Sequence, residues 1–425
     1  MKRRTFLTGC VGCAAAGVLG VSAFRKHADE TLYLPLERPL KLAVMADIHY
    51  LAPTLTDHGP CFETVIRNAD GKVMDYSEEL AEAFVGQMLR EKPDALLIAG
   101  DLTFNGEADS HRTLAQKLRR IAEAGVPVRV LPGNHDLDDP MAVRYRGESY
   151  ERVRSIPGDE FAELYAPFGY ADALSRDDAS LSYTAELAPG LRVLLVDANT
   201  ADAPGSIRQE TLRWAKAQLK AARNAGARVI GVSHQSLLEH NAVFTSGFTA
   251  QNGDALAALY EKYGVLCNLC GHLHIQHILE SGGGLPEIIT SSLAVAPDQY
   301  GILTVSNAGM EYHTETLDVS AWANAQGRSD PDLLDFAGYT ERFFGESSRS
   351  QAMEELSGRT DAGQLADFFA QVNAAYFAGR LDTLDRDTAL WQTWNGLNGF
   401  LSVYLQSIRD DPARDSTTYR CTGER

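Results

Sequence analysis

The chain has 425 residues, of which 44% are hydrophobic and 23% charged. That balance is globular, and the length exceeds one ordinary compact core, so a large domain with a smaller companion is expected. The formal net charge of −18 repels a nucleic-acid backbone and argues against duplex binding. It also repels anionic substrates at long range, so any phosphate site here must supply its own local positive charge.

Lys2, Arg3 and Arg4 form a basic start, and an almost uncharged stretch runs from Thr8 to Phe24 before Arg25 and Lys26. Such a segment reads as an export signal before it reads as a structural element. Arg3-Arg4-Thr5-Phe6-Leu7 resembles the twin-arginine export motif, the other reading being a plain Sec signal. Residues 1–37 are therefore expected to be signal and linker. They would place the protein outside the cytoplasm, either secreted or held by an N-terminal membrane anchor. Leu7-Thr8-Gly9-Cys10 looks like a lipoprotein box, but almost no apolar stretch precedes it. No second run is long and apolar enough to span a bilayer.

Of the six cysteines, Cys10 and Cys13 lie in the signal, and Cys61, Cys267, Cys270 and Cys421 lie beyond it. Four scattered cysteines in so long a chain are no disulfide framework. Cys267-Asn268-Leu269-Cys270 has no second such pair, and Gly271 rather than His follows it, so a buried strand is the expected reading.

From Pro39 onward, apolar strands alternate with amphipathic helices. Leu42–Ala46 reads as a buried strand and Ser77–Lys92 as a helix with Leu80, Phe84 and Met88 at helical spacing. Ala95–Ala99 is a strand, Glu107–Ala124 a helix, and Val128–Leu131 a strand. Leu191–Val196, Arg208–Arg223, Arg228–Val232 and Val265–Leu269 continue as strand, helix, strand, strand. The alternation predicts an α/β domain with largely parallel central strands. Short strands follow at Ile288–Ser291, Gly301–Val305 and Met310–Thr314. Beyond Leu317 strand patterns are expected to end. Pro331–Phe344, Ala362–Phe377 and Thr388–Ile408 read as helices, and Trp391, Trp394, Phe400 and Tyr404 give the last a heavy aromatic face, expected to be core. These helices are expected to dock on the preceding domain and wall one side of a cleft.

Five short segments follow predicted strands, where open α/β sheets place their ligand sites. They are Asp47-Ile48-His49, Gly100-Asp101, Gly133-Asn134-His135-Asp136, His234, and Gly271-His272-Leu273-His274. Singly, each is weak: a Gly-Asp pair is usually a turn, and a lone histidine is usually not a ligand. Together they gather five of the eleven histidines at strand ends, which chance does not readily produce. Imidazole with carboxylate suits Mn, Fe, Zn, Ni or Co. Two divalent ions roughly 3.5–4 Å apart need a bridging carboxylate, and they make hydroxide available near neutrality while binding phosphoryl oxygens.

The set resembles the signature of the calcineurin-like metallophosphoesterases, in the family's order, over Lys41 to Thr316. The resemblance implies an αββα sandwich with a small C-terminal all-α domain, divided as residues 38–318 and 319–425. It implies two divalent or mixed-valence transition metal ions, one held by Asp47, His49, Asp101 and His274. The other would be held by Asp101, Asn134, His234 and His272, with Asp101 bridging. It also implies that His135 protonates the leaving oxygen, with Asp136 a candidate to orient its ring. Protein Ser/Thr phosphatases carry Asp-Arg-Gly after the Gly-Asp pair, and purple acid phosphatases an iron-bound Tyr. Here Leu102-Thr103-Phe104-Asn105-Gly106 supplies neither. Asp101-Leu102-Thr103 and Gly133-Asn134-His135-Asp136 are instead similar to bacterial class III cyclic nucleotide phosphodiesterases, and the export signal with C-terminal helices is similar to Gram-positive surface members of that branch. The expected substrate is a small phosphate ester: a cyclic nucleotide or similar diester, or a monoester if the protein is a nucleotidase. A scaffold that had lost catalysis should have lost ligands, and none is missing. The stretch Tyr50–Tyr76, holding Asp57, His58, Arg67, Asn68 and Asp70, is a candidate cover for the site or a plain surface loop.

Overall fold

The computed structural model describes residues 33–422; the export segment read from Lys2 to Lys26 lies outside them. Its centre is a pair of facing sheets. The first runs, in spatial order, Thr418–Thr422, Gly309–Thr316, Gln299–Ser306, Leu40–Met45, Ala95–Ala99 and Val128–Leu131. The last three are parallel, and the others are antiparallel. The second sheet runs His277–Glu280, Pro286–Ile289, Asn268–Cys270, Arg228–Ser233, Leu191–Val196, Tyr183–Ala188 and Ser175–Arg176, with four parallel strands at its centre. All five residues of Ala95–Ala99 are buried, as expected of a parallel strand covered on both faces, which reads as a continuous apolar run.

Alternation along the strands builds the layers. Val193, Leu195, Ile230 and Val232 join Leu42, Val44 and Leu97 in the core between the sheets. Leu194, Val196 and Val229 face the other way, against helices Gln209–Asn224 and Gly253–Tyr263. Helices Ser77–Glu91 and Ala108–Glu123 add Leu80, Phe84, Met88, Leu114, Leu118 and Ile121 to the first core. The result is an αββα sandwich. Cys267 and Cys270 are free and buried, and Gly231 N–H bonds Cys267 O at 2.9 Å. The strand is assigned only to Asn268–Cys270, shorter and later than its apolar run suggests.

The C-terminal helices dock on the sandwich. Val319, Ala323, Leu333 and Phe336 belong to the first core. Cys270, Leu273, Ile275 and Ile289 of the sheet region form a second core with Phe369, Val372, Tyr376, Trp391, Trp394 and Leu405. Four expectations are corrected here. The helix expected over Pro331–Phe344 is two, Pro331–Leu334 and Phe336–Glu355, because Asp335 leaves helical geometry (φ −126°, ψ 52°). The helix expected over Thr388–Ile408 is also two, Ala389–Asn395 and Phe400–Asp410. The intervening Gly396-Leu397-Asn398-Gly399 is poor in helix formers, and Gly399 is extended. Phe400 is not core, being 55% exposed. Finally, strands do not end near Leu317: Thr418–Thr422 returns to pair antiparallel with Gly309–Thr316.

A buried chain of polar groups ties the two regions. His240 Nε2 lies 3.1 Å from Glu287 Oε1, His240 Nδ1 lies 2.8 Å from His277 Nδ1, and His277 Nε2 lies 2.7 Å from Asp411 Oδ2. Among the described residues no helix is long and apolar enough to cross a membrane.

Candidate metal centre

The ends of Leu40–Met45, Ala95–Ala99, Val128–Leu131, Arg228–Ser233 and Asn268–Cys270 point their following loops at one place. Five residues there take a left-handed backbone: Asp47 (φ 52°), His49 (46°), Asp101 (47°), His272 (71°) and His274 (59°). Side chains other than glycine rarely adopt it, and such outliers persist where the surroundings over-determine them. Here the loops brace one another. His49 N donates to Asp101 O at 3.0 Å, His272 N to both Asp47 carboxylate oxygens at 2.9 and 3.1 Å, and His135 N to Asp101 Oδ1 at 3.0 Å. A Cβ on Gly133 would land on Asp101 Oδ1, and one on Gly271 on Asp47 Oδ2, so both positions require glycine.

The structure brings all seven metal candidates together in two donor sets that share Asp101. Ligand atoms of Asp47, His49, Asp101 and His274 lie within 4.8 Å of one another, as do those of Asp101, His234 and His272. His49 Nε2 stands 3.0 Å from His274 Nε2, and Asp101 Oδ2 stands 3.3 Å from His234 Nε2. Asn134 Oδ1 joins the second set, 3.0 Å from His234 Nε2. Donors about 2.1 Å from one ion and at right angles to each other are about 3 Å apart, so these spacings fit a shared cation. Outer partners also fix which nitrogen faces inward. His234 Nδ1 bonds Ala99 O at 2.8 Å, leaving Nε2; His272 Nε2 bonds Gly247 O at 3.0 Å, leaving Nδ1.

Electrostatics gives the same picture. Burial pushes the Asp47 carboxyl up to about 8 and holds His49 and His274 well below the usual imidazole range. His272 falls to about 4 through burial and then the charge of His234. Burial opposes a charged His234, but the Asp101 carboxylate overrides it and raises the ring to about 9. Burial likewise opposes an ionised Asp101, yet His234 holds it well below the carboxylate range. Three neutral imidazoles and two buried carboxyls form a set that divalent cations would satisfy.

His135 and Asp136 separate. The His135 ring centroid lies 5.3 Å from that of His49, at the first donor set. Its Nδ1 is 3.1 Å from Asn105 Oδ1 and 3.8 Å from Asp139 Oδ2. Asp136 does not orient it. That carboxylate is fully buried and saturated by four donors: Leu102 N, Thr103 N, Thr103 Oγ1 and Gly133 N, at 2.7 to 3.1 Å. It ties the Asp101 loop to the Gly133 loop, and Asn105 holds the ring. Asn105 stands in the segment already singled out, but nothing in its spacing distinguishes it from a turn residue.

A cavity of about 340 Å³ opens beside the centre, lined by His272 and His274 together with Phe244, Phe248, Phe344 and Tyr404. The Phe248 ring lies 5.3 Å from that of His272. Of the residues named in Tyr50–Tyr76, only Asp70 reaches this cavity. Asp57 accepts Gly59 N and Gly147 N, Arg67 donates to Glu63 O, and Asn68 to Thr64 O. His58 lines a separate, larger cleft of about 770 Å³ that contains none of the seven donors.

The family model for calcineurin-like phosphoesterases matches residues 40–276, and the model for the C-terminal domain of cyclic nucleotide phosphodiesterase matches 318–415. A curated relative, glycerophosphodiester phosphodiesterase GpdQ of Enterobacter lignolyticus (strain SCF1), is 28% identical over 187 residues, covering 44% of this chain and 58% of that protein. Solved structures of similar shape include a dimetal phosphatase from Danio rerio (TM-score 0.48, 15% identity, 67% of this chain and 97% of that one). Another is purple acid phosphatase PPD1 from yellow lupin seeds (TM-score 0.42, 15% identity, 67% and 52%). With the first model matching more than half its length, this chain belongs to the calcineurin-like phosphoesterase family.

Proposed function

We propose that this protein is a dinuclear-metal phosphoesterase that hydrolyses small phosphodiesters, cyclic nucleotides being the best-fitting class. The observation that carries the reading is Asp101, whose carboxylate belongs to both donor sets. Asp47, His49 and His274 would complete one ion's shell, and Asn134, His234 and His272 the other's. When bound, two transition metal ions (Mn, Fe, Zn, Ni or Co) supply an activated water and stabilise charge on the phosphoryl oxygens. The chain itself does the rest. Asn105 Oδ1 accepts from His135 Nδ1, which fixes the ring and leaves Nε2 as the nitrogen through which an imidazolium would hand its second proton to the departing oxygen. Ala99 O and Gly247 O hold His234 and His272 in their working tautomers.

Diester preference is supported by the aromatic cavity at His272 and His274. A planar ring attached to the phosphate can stack there, with faces offered by both the sheet loops and the helices. The curated relative and the C-terminal family model, both named for diester substrates, favour the same class. Turnover across 2′,3′- and 3′,5′-cyclic nucleotides, bis-p-nitrophenyl phosphate and p-nitrophenyl phosphate tests it. Preference for the monoester would replace this reading with a nucleotidase, and a protein that binds no metal and turns over nothing would defeat it. Export by the twin-arginine route is part of the proposal. Replacing Arg3 and Arg4 with Lys should retain precursor in the cytoplasm.

A further inference from the structure

Lys72 has no place in the donor sets, yet it is 8% exposed, and its ammonium has no hydrogen bond or ion pair among the described residues. Buried charges are ordinarily paired, so an unpartnered one beside a catalytic centre calls for an explanation. The turn that carries it is held to the centre by a short relay. Val73 N donates to Ala294 O at 2.9 Å, Ala294 N to Ser292 Oγ at 3.2 Å, and Ser292 Oγ to Asp47 O at 2.6 Å. On the other side, a Cβ on Gly71 would collide with the Phe344 ring, and Asp70 lines the cavity that contains His272 and His274. The turn is thus clamped between the Asp47 loop and the helical region. Ser292 N also donates to His274 O at 3.3 Å, which puts this turn at the His49 and His274 half of the centre.

We propose that Lys72 binds substrate, its ammonium taking an anionic oxygen of the phosphate group on the His49 and His274 side. The inference rests on the phosphoesterase reading and adds to it a protein cation outside the metal shells. With Asp47 and Asp101 engaged by metal ions, Asp70 is the one carboxylate left on its own turn, and a phosphate oxygen restores the missing counter-charge. A chain of net charge −18 needs such local attraction, and lysine is a compact point charge suited to phosphate.

The test is titration calorimetry of inorganic phosphate into metal-loaded protein, with metal content measured alongside. K72M should keep its full metal complement and bind phosphate about 10- to 100-fold more weakly, the range of one charge-assisted hydrogen bond. KM should rise in step, and K72R should recover most of the affinity. If Met at this buried position unfolds the chain, K72Q carries the same expectation, with circular dichroism checking the fold. Wild-type binding that K72M or K72Q retains, or a fall in affinity that only mirrors lost metal, overturns the inference alone. A wild type that binds no phosphate overturns the phosphoesterase reading and this inference with it.

Discussion

Five of the seven donor residues at the strand ends take a left-handed backbone, whereas beyond Asp298 every described residue that does so is glycine: Gly309, Gly327, Gly358 and Gly379. Each such non-glycine residue costs about 1–3 kcal/mol, so strain is concentrated in the loops that carry the polar side chains. Those loops also bury Asp47, His49, Asp101 and His234 almost completely. The helical region does the reverse. It hides Trp391, Trp394, Tyr376 and Phe369 in ordinary helices and satisfies their polar edges locally, as where Trp394 Nε1 donates to Leu365 O at 3.2 Å. One region stores strain to hold a geometry, and the other supplies apolar burial that keeps a wall in place. The two meet at the centre where His272, Leu273 and His274 face the aromatic helices.

The comparison can be broken most sharply at Asp101. D101A should remove both metals and more activity than the roughly 10- to 100-fold that loss of an outer partner costs. Metal analysis showing one ion retained at full occupancy would end its bridging assignment. H135A should instead keep metal and lose roughly 10²–10⁴-fold in kcat. The loss should shrink for good leaving groups, which need little protonation, and N105A should show the same trend more weakly. An equal loss across leaving groups would point to substrate binding.

On the other side of the comparison, W394A should destabilise the protein by about 3–5 kcal/mol, as large aromatic truncations do, with metal content unchanged in the folded protein. Denaturant unfolding and metal analysis together check it, and metal loss in step would make the two regions one unit. The smallest effect expected is on metal-free protein. Folded His234 is raised from 6.5 to about 9, and Asp47 from 3.8 to about 8. Both therefore bind protons more tightly when folded. Their contribution is complete below the unfolded values and is lost as pH rises through the folded ones. Chelator-treated protein should accordingly have a lower Tm at pH 9 than at pH 6.5. Added metal should stabilise more at the higher pH, because it displaces those protons. A flat or rising metal-free Tm would show that the strand-end loops do not carry this charge imbalance.

The sequence by itself determined the order of strands, their burial and the five segments at their ends. Each of those signals is local: an apolar run, a glycine where a Cβ would strike a carboxylate, a histidine immediately after a strand. Side-chain direction was not local. Asp136 adjoins His135 in the chain, but its carboxylate turns to four donors from two loops, and Asn105 reaches the ring from another strand end. Lys72 lies 25 residues from Asp47 in sequence, and only the clamp between Ala294 and Phe344 brings its turn to the centre. The final strand Thr418–Thr422 is weakly patterned, and its pairing with Gly309–Thr316 depends on the helices that carry the chain back. Adjacent residues share a backbone, but which atoms meet is decided by long-range packing, and so the metal-ligand types could be read along the chain while the cavity and its charged wall exist only in the fold.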